Sequence, residues 1–184
     1  MGLLDGKIAL ITGVANRWSI ATGIAREFHS HGARLCFIYQ GERVRDEVEK
    51  LAAELGGAHC YPCDVTSDEA LADLAAAVKR DYGRLDVLVH SIAYTNKEDL
   101  KGKVYTTSRD GFALALDISS YSLIALSNAF VDLFGDGASI IASAGRGAEN
   151  GNTAATATAK TKKPGRQPLK MLRPKERHMR NILL

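Results

Sequence analysis

The feature that most constrains this chain is an alternation of short apolar runs with amphipathic stretches, repeated through its first 145 residues. Lys7 to Thr12 reads K-I-A-L-I-T between Gly6 and Gly13. An apolar run that short, bounded by glycines, predicts a strand buried on both faces. Ser19 to His31 follows, with Ile20, Ile24 and Phe28 spaced by four, one face of a helix. Arg34 to Tyr39 predicts a second strand. Glu42 to Leu55 predicts a second helix through Val44, Val48, Leu51 and Leu55. Ala58 to Asp64 is a third strand, and Ser67 is placed to cap a third helix with Leu71, Leu74, Ala75 and Val78 on its apolar face. Asp86 to Ser91 predicts a fourth strand. A long helix from Ser108 to Phe134 carries Ile118, Tyr121, Ser122 and Ala125 on one side, and Ser139 to Ser143 predicts a fifth strand.

Strand and helix in strict alternation call for an α/β fold: a Rossmann-type, doubly wound parallel sheet with helices on both faces. The pattern stops after about Gly145, so the sheet is expected to be incomplete at its C-terminal side. Residues 1–145 hold 14 Lys/Arg and 19 Asp/Glu, whereas residues 146–184 hold 10 basic and 2 acidic residues. Every aromatic lies at or before Phe134, and Asn152 to Thr161 is little more than Ala and Thr. A segment with so little apolar surface cannot offset its ordering entropy. The expected organisation is a dinucleotide-binding domain over 1–145 and a basic, low-complexity, disordered tail over 146–184. The tail lacks aromatics for base stacking, which argues against nucleic acid as a partner.

No apolar run approaches the ~20 residues of a membrane span. The start, Met1-Gly2-Leu3-Leu4-Asp5-Gly6-Lys7, lacks a signal peptide's basic n-region and cleavage site. The expectation is a cytoplasmic protein with no membrane partner. Cys36, Cys60 and Cys63 make an odd, low count that fits a reducing compartment. Cys60-Tyr61-Pro62-Cys63 matches C-x-x-C but sits in a strand, so these read as core thiols. The five histidines show no metal spacing.

In a doubly wound sheet, ligands sit beyond the carboxyl ends of strands where strand order reverses. With order 3-2-1-4-5, that point lies between Thr12-Gly13 and Ser91-Ile92-Ala93. A glycine at the first strand end admits a phosphate close to backbone. The helix start beyond it offers free N–H groups and a partial positive charge. Ser19 either caps that helix or bonds a phosphate oxygen. The loop is not G-x-G-x-x-G, so an ordinary strand-to-helix loop is an equal reading of this turn alone. The second strand ends at Gln40, with neither an acid nor an immediate cation. Glu42 would repel a 2′-phosphate and Arg43 would attract one, so NADH is favoured over NADPH. Asp64 either accepts a hydrogen bond from the adenine amino group or closes a turn. Tyr94 either walls the nicotinamide pocket or acts as an acid. Tyr121 reads as a core or subunit-contact residue, and His90 as a satisfied buried histidine.

Five stretches together resemble the enoyl-acyl-carrier-protein reductases, a divergent branch of the short-chain dehydrogenase/reductase superfamily. They are Ile11-Thr12-Gly13-Val14-Ala15-Asn16 with Ser19-Ile20-Ala21, Tyr39-Gln40, Cys63-Asp64-Val65, His90-Ser91-Ile92-Ala93, and Asp117-Ile118-Ser119-Ser120-Tyr121-Ser122. The resemblance covers residues 2 to about 143. It implies an NADH-dependent oxidoreductase of fatty-acid biosynthesis that reduces trans-2-enoyl thioesters carried on acyl carrier protein. By the same resemblance, the cofactor is held at Gly13, Ala15, Ser19, Ile20, Gln40, Asp64, Val65, Ser91, Ile92 and Ala93, and substrate meets Tyr94 and Thr95. The helix 108–134 resembles one that pairs between subunits, which implies a homo-oligomer.

The family's Tyr-x6-Lys motif is missing. Gly147-Ala148-Glu149 matches a Gly-Ala-Glu of the family, and an ungapped register from there puts the catalytic tyrosine at Ala155 and the lysine at Lys162. No tyrosine occurs after Tyr121. An alanine cannot replace a phenol that donates a hydrogen bond or proton. The alternative to a reductase is therefore a non-catalytic or truncated NAD(H)-binding protein.

Overall fold

A computed structural model describes residues 2–101, 103–145 and 154–160. The elements alternate as read: β1 (Ile8–Ile11), α1 (Ile20–Ser30), β2 (Arg34–Tyr39), α2 (Glu42–Glu54), β3 (His59–Pro62), α3 (Asp68–Tyr82) and β4 (Leu85–His90). A short 3-10 turn (Val104–Thr106) precedes α4 (Arg109–Leu116), a π turn (Asp117–Tyr121) and α5 (Ser122–Ala129). β5 (Phe134–Gly145) and β6 (Ala154–Lys160) follow. The sheet order is β3-β2-β1-β4-β5-β6, parallel through β5 and antiparallel between β5 and β6.

Side chains alternate across β1 because successive residues of a strand point to opposite faces. Ala9 and Ile11 join Ala21, Ala25, Phe37, Val48 and Leu51, under α1 and α2. Ile8 and Leu10 join Leu71, Leu74, Val78, Ile118, Leu126 and Phe130, under α3 and α5. Both faces of the central strands are therefore covered, and β4 is buried at all six positions. α3 starts where Ser67 accepts from the Ala70 amide at 3.2 Å and ends at Gly83 with φ 77°. Those are a side-chain cap and a left-handed glycine stop. Asp86 ties β4 to β1: it accepts from the Ile8 amide at 2.9 Å, from Arg84 at 3.0 Å and from Lys7 at 3.3 Å.

The structure departs from the sequence reading in the C-terminal third. The helix expected over 108–134 ends at Ala129, and Phe134 opens β5. Phe130 and Leu133 are buried in the turn between them. Pairing of β5 with β4 runs from Leu85–Phe134 to Val87–Ser139, a shift that absorbs Gly135-Asp136-Gly137, with Gly137 at φ 81°. Two glycines flanking an aspartate hid the strand's first turn from a periodicity argument.

Of the segment 146–184, expected as a disordered tail, residues 154–160 are described. Residues 154–160, the Ala/Thr stretch, pair along β5 from Gly145–Ala154 to Ser139–Lys160. A strand edge presents unpaired N–H and C=O groups, and a neighbouring strand satisfies them whatever its side chains. The remainder of the tail lies outside the described residues.

Arg109–Ala129 forms one helical stretch of 21 residues, long and apolar enough by length and composition to cross a membrane. Asp110 and Asp117 interrupt it, so it holds no unbroken apolar run of that length. Its Ile118, Ser122 and Leu126 pack onto the sheet, while Phe112, Leu116, Tyr121 and Ile124 face outward. Tyr121 is thus exposed rather than a core residue.

Candidate functional site

The carboxyl ends of β1 and β4 are joined by a polar stitch. Thr12 donates its hydroxyl to the Val89 carbonyl at 3.0 Å, and the same oxygen accepts from the Ser91 amide at 3.1 Å. Thr12 is fully buried. Gly13 follows at φ 82°. A Cβ there would overlap the Ser91 carbonyl and lie 3.2 Å from the Ile92 amide nitrogen. Only glycine lets the two strand ends approach this closely.

Around this point lies an open crevice of about 600 Å³, counting space open to solvent. Gly13, Ala15, Gln40, Val65, Ser91, Ile92 and Ala93, all named from the sequence, line it together. Val14, Ile38, Tyr39, Val44 and Cys63 also line it and were not named as site residues. Tyr39 and Cys63 stood in the resembling stretches, next to residues that were named. Val44 carries no motif signal, because as the first apolar residue of α2 it looks like core.

Ser19, Ile20 and Asp64 stand off the lining. Ser19 occupies the N-cap position of α1 without capping it. Its hydroxyl oxygen instead accepts from the Ala15 and Asn16 amides, each at 3.0 Å, and folds the loop on itself. Ile20 is half exposed at the first turn of α1. Asp64 accepts from the Thr66 hydroxyl at 2.7 Å and the Thr66 amide at 2.9 Å. Those bonds, with a further one from Gln40, hold its carboxyl below the usual range against the opposing effect of burial. It therefore closes a turn, next in sequence to Val65 of the crevice lining.

A second, shallower depression adjoins the crevice through Ala93, which lines both. Tyr94, Thr95, Leu100, Ala115 and Ser119 complete it, and Tyr94 is exposed. The two residues read as substrate contacts are thus next to the candidate nicotinamide end.

His90 is buried, its Nε2 lies 2.7 Å from the Ser122 hydroxyl, and burial lowers its pKa. It is a satisfied core histidine. Cys60 packs against the α1/α2 layer and Cys63 belongs to the α3/α5 layer, so the C-x-x-C thiols sit on opposite faces of the sheet. Burial pushes both thiols up to about 11. Ala155 lies in β6, its backbone in register with Ala144 of β5. Lys162 and Gly147-Ala148-Glu149 lie outside the described residues. Among the described residues, no group of three His, Cys, Asp or Glu is placed to hold a metal ion.

Residues 13–165 match the family described as enoyl-(acyl carrier protein) reductase. The chain is 50% identical over 133 residues to the NADH-dependent enoyl-acyl-carrier-protein reductase FabI of Aquifex aeolicus, covering 72% of this chain and 49% of that protein. It is 44% identical over 148 residues to the NADPH-dependent FabI of Staphylococcus aureus, covering 79% of this chain and 58% of that one. The crystal structure of FabI from Candidatus Liberibacter asiaticus superposes with a TM-score of 0.74 at 37% identity, covering 77% of this chain and 55% of that one. The chain spans about half the length of the curated relatives it matches. Family match, relatives and fold agree, and the chain belongs to the enoyl-(acyl carrier protein) reductase family.

Proposed function

We propose that this chain holds NADH in the crevice at the ends of β1 and β4 and presents its nicotinamide toward Tyr94 and Thr95. The substrate is a trans-2-enoyl thioester carried on acyl carrier protein, reduced in fatty-acid biosynthesis. The observation that carries this reading is the backbone contact between Gly13 and Ser91-Ile92 at the point where strand order reverses. Gly13, with the Ala15, Ser19 and Ile20 turn, receives the pyrophosphate. Gln40, Asp64 and Val65 lie at the adenosine end, and Ser91, Ile92 and Ala93 at the nicotinamide end. NADH bound there supplies the hydride for C3 of the thioester.

NADH is preferred to NADPH because Gln40 brings no charge to the ribose, and Glu42, 3.3 Å from Arg45, repels a 2′-phosphate. Lys162 adds positive charge near the nicotinamide ribose in this reading. A second reading, a non-catalytic NAD(H) binder, is favoured by one observation: no tyrosine follows Tyr121 in this sequence, and an ungapped register puts Ala155 at the family tyrosine's position. Calorimetric titration with NADH, paired with NADH oxidation in the presence of crotonyl-coenzyme A, separates the two. Saturable binding with turnover supports the reductase, and binding without turnover supports the binder. Absence of binding refutes both. The outward Phe112, Tyr121 and Ile124 favour a homo-oligomer formed through the long helix, and the working compartment is the cytoplasm. Light scattering giving a monomer mass would refute the oligomer.

A further inference from the structure

The chain segment after β4 is pinned to the helix Arg109–Ala129 on either side of the crevice wall. At the first pin, His90 Nε2 meets Ser122 Oγ at 2.7 Å, both residues buried. Ser122 gives its only proton to the Ile118 carbonyl at 2.6 Å, so its oxygen accepts from an Nε2–H imidazole. At the second pin, the Ser119 hydroxyl engages the Tyr94 backbone twice. It accepts from the Tyr94 amide at 3.1 Å and donates to the Tyr94 carbonyl at 3.3 Å. Between the pins lie Ser91, Ile92 and Ala93, the crevice wall. The helix carrying both serines is not a plain α-helix there, because Asp117–Tyr121 forms a π turn with Ser119 inside it. Such single π turns recur at functional sites.

The geometry points to Ser119 as a positioning residue for the nicotinamide end of the dinucleotide. Its paired hydrogen bonds fix the Tyr94 backbone, and so hold the junction at which Ala93 passes from crevice to depression. The π turn brings that hydroxyl to the loop while Ser122, in the next turn, stays on His90. Ser119 lies in the adjoining depression and acts on the dinucleotide only through Tyr94. The inference rests on the dinucleotide reading above.

A pair of ligands tests it on the full 184-residue chain. ADP-ribose carries the adenosine and pyrophosphate of NADH without the nicotinamide. In calorimetric titrations, Ser119→Ala is expected to weaken NADH about tenfold, the worth of one to two net hydrogen bonds. ADP-ribose affinity stays unchanged, and Ser119→Thr, which keeps the hydroxyl, restores NADH affinity. A purely structural serine would move both ligands or neither, so equal losses, or an unchanged NADH affinity, overturn the inference while leaving the dinucleotide reading intact. A wild-type chain that binds neither ligand overturns that reading, and this inference with it.

Discussion

Replacing Gly13 by alanine tests the strand-end contact on which the site is built. Two costs follow from the structure. At φ 82°, a residue with a Cβ loses about 1–2 kcal/mol relative to glycine. The added Cβ also overlaps the Ser91 carbonyl, backbone that cannot swing aside. Forcing an extra carbon into such contact costs about 1–3 kcal/mol. The sum, about 2–5 kcal/mol, is a large share of an ordinary domain's stability. Gly83 is the control, because its φ is 77° and nothing lies within 4 Å of the position its Cβ would take. Gly83→Ala therefore carries the backbone term alone. Urea unfolding followed by circular dichroism gives both values, compared at equal slopes. Gly13→Ala is expected to be the more destabilised by at least about 1 kcal/mol, the overpacking term. Where it remains folded, it is expected to lose NADH affinity, because Ser91 must move. Equal destabilisation of the two variants, with NADH binding intact in Gly13→Ala, would refute the close approach.

Three further outcomes follow. Ser19→Ala removes the acceptor of the Ala15 and Asn16 amides and is expected to weaken NADH about tenfold, with a stability change below about 1 kcal/mol because the loop is open to water; a stability loss with unchanged binding would contradict this. Burial alone would raise the Asp86 pKa, but the Ile8 amide, Arg84 and Lys7 outweigh it and hold the carboxyl below its ordinary value. A depressed folded-state pKa adds stability above the unfolded value and loses it as pH falls through the folded one. Asp86→Asn should therefore cost about 1.5–3 kcal/mol at neutral pH, with the gap to wild type closing as pH falls below about 4; a gap constant to pH 3 would count against it. The native thiols should react slowly with a disulfide reagent at pH 8, since Cys36 and Cys63 are buried and burial raises all three pKa values; rapid release of two equivalents would contradict their placement.

The sequence was most legible where burial on both faces leaves an unbroken apolar run. β1, β2 and β4 read directly for that reason, and the order 3-2-1-4-5 follows from their alternation with helices. The crevice was legible as far as its motif residues went: Gly13, Gln40, Val65 and Ser91 to Ala93 line one opening. What escaped has a common cause, which is that tertiary pairing decided it. Ser122 looks like a polar interruption on an apolar helix face until His90 is seen opposite it. The π turn at Asp117–Tyr121 has no compositional mark, because its residues suit an α-helix equally well. The Ala/Thr stretch at 154–160 has little side-chain reason to form a strand, and its pairing comes from the open backbone of β5. Ser19 was placed at a helix start correctly, but whether its hydroxyl turns toward the helix or back over the loop depends on loop geometry.

The most direct test of the central claim is an amide-resolved NMR titration of the 184-residue chain with NADH. The account predicts that Gly13, Ser91 and Ile92 shift together and saturate with one common dissociation constant. Saturable shifts confined to other parts of the sheet, or no shifts at any NADH concentration up to solubility, would contradict it.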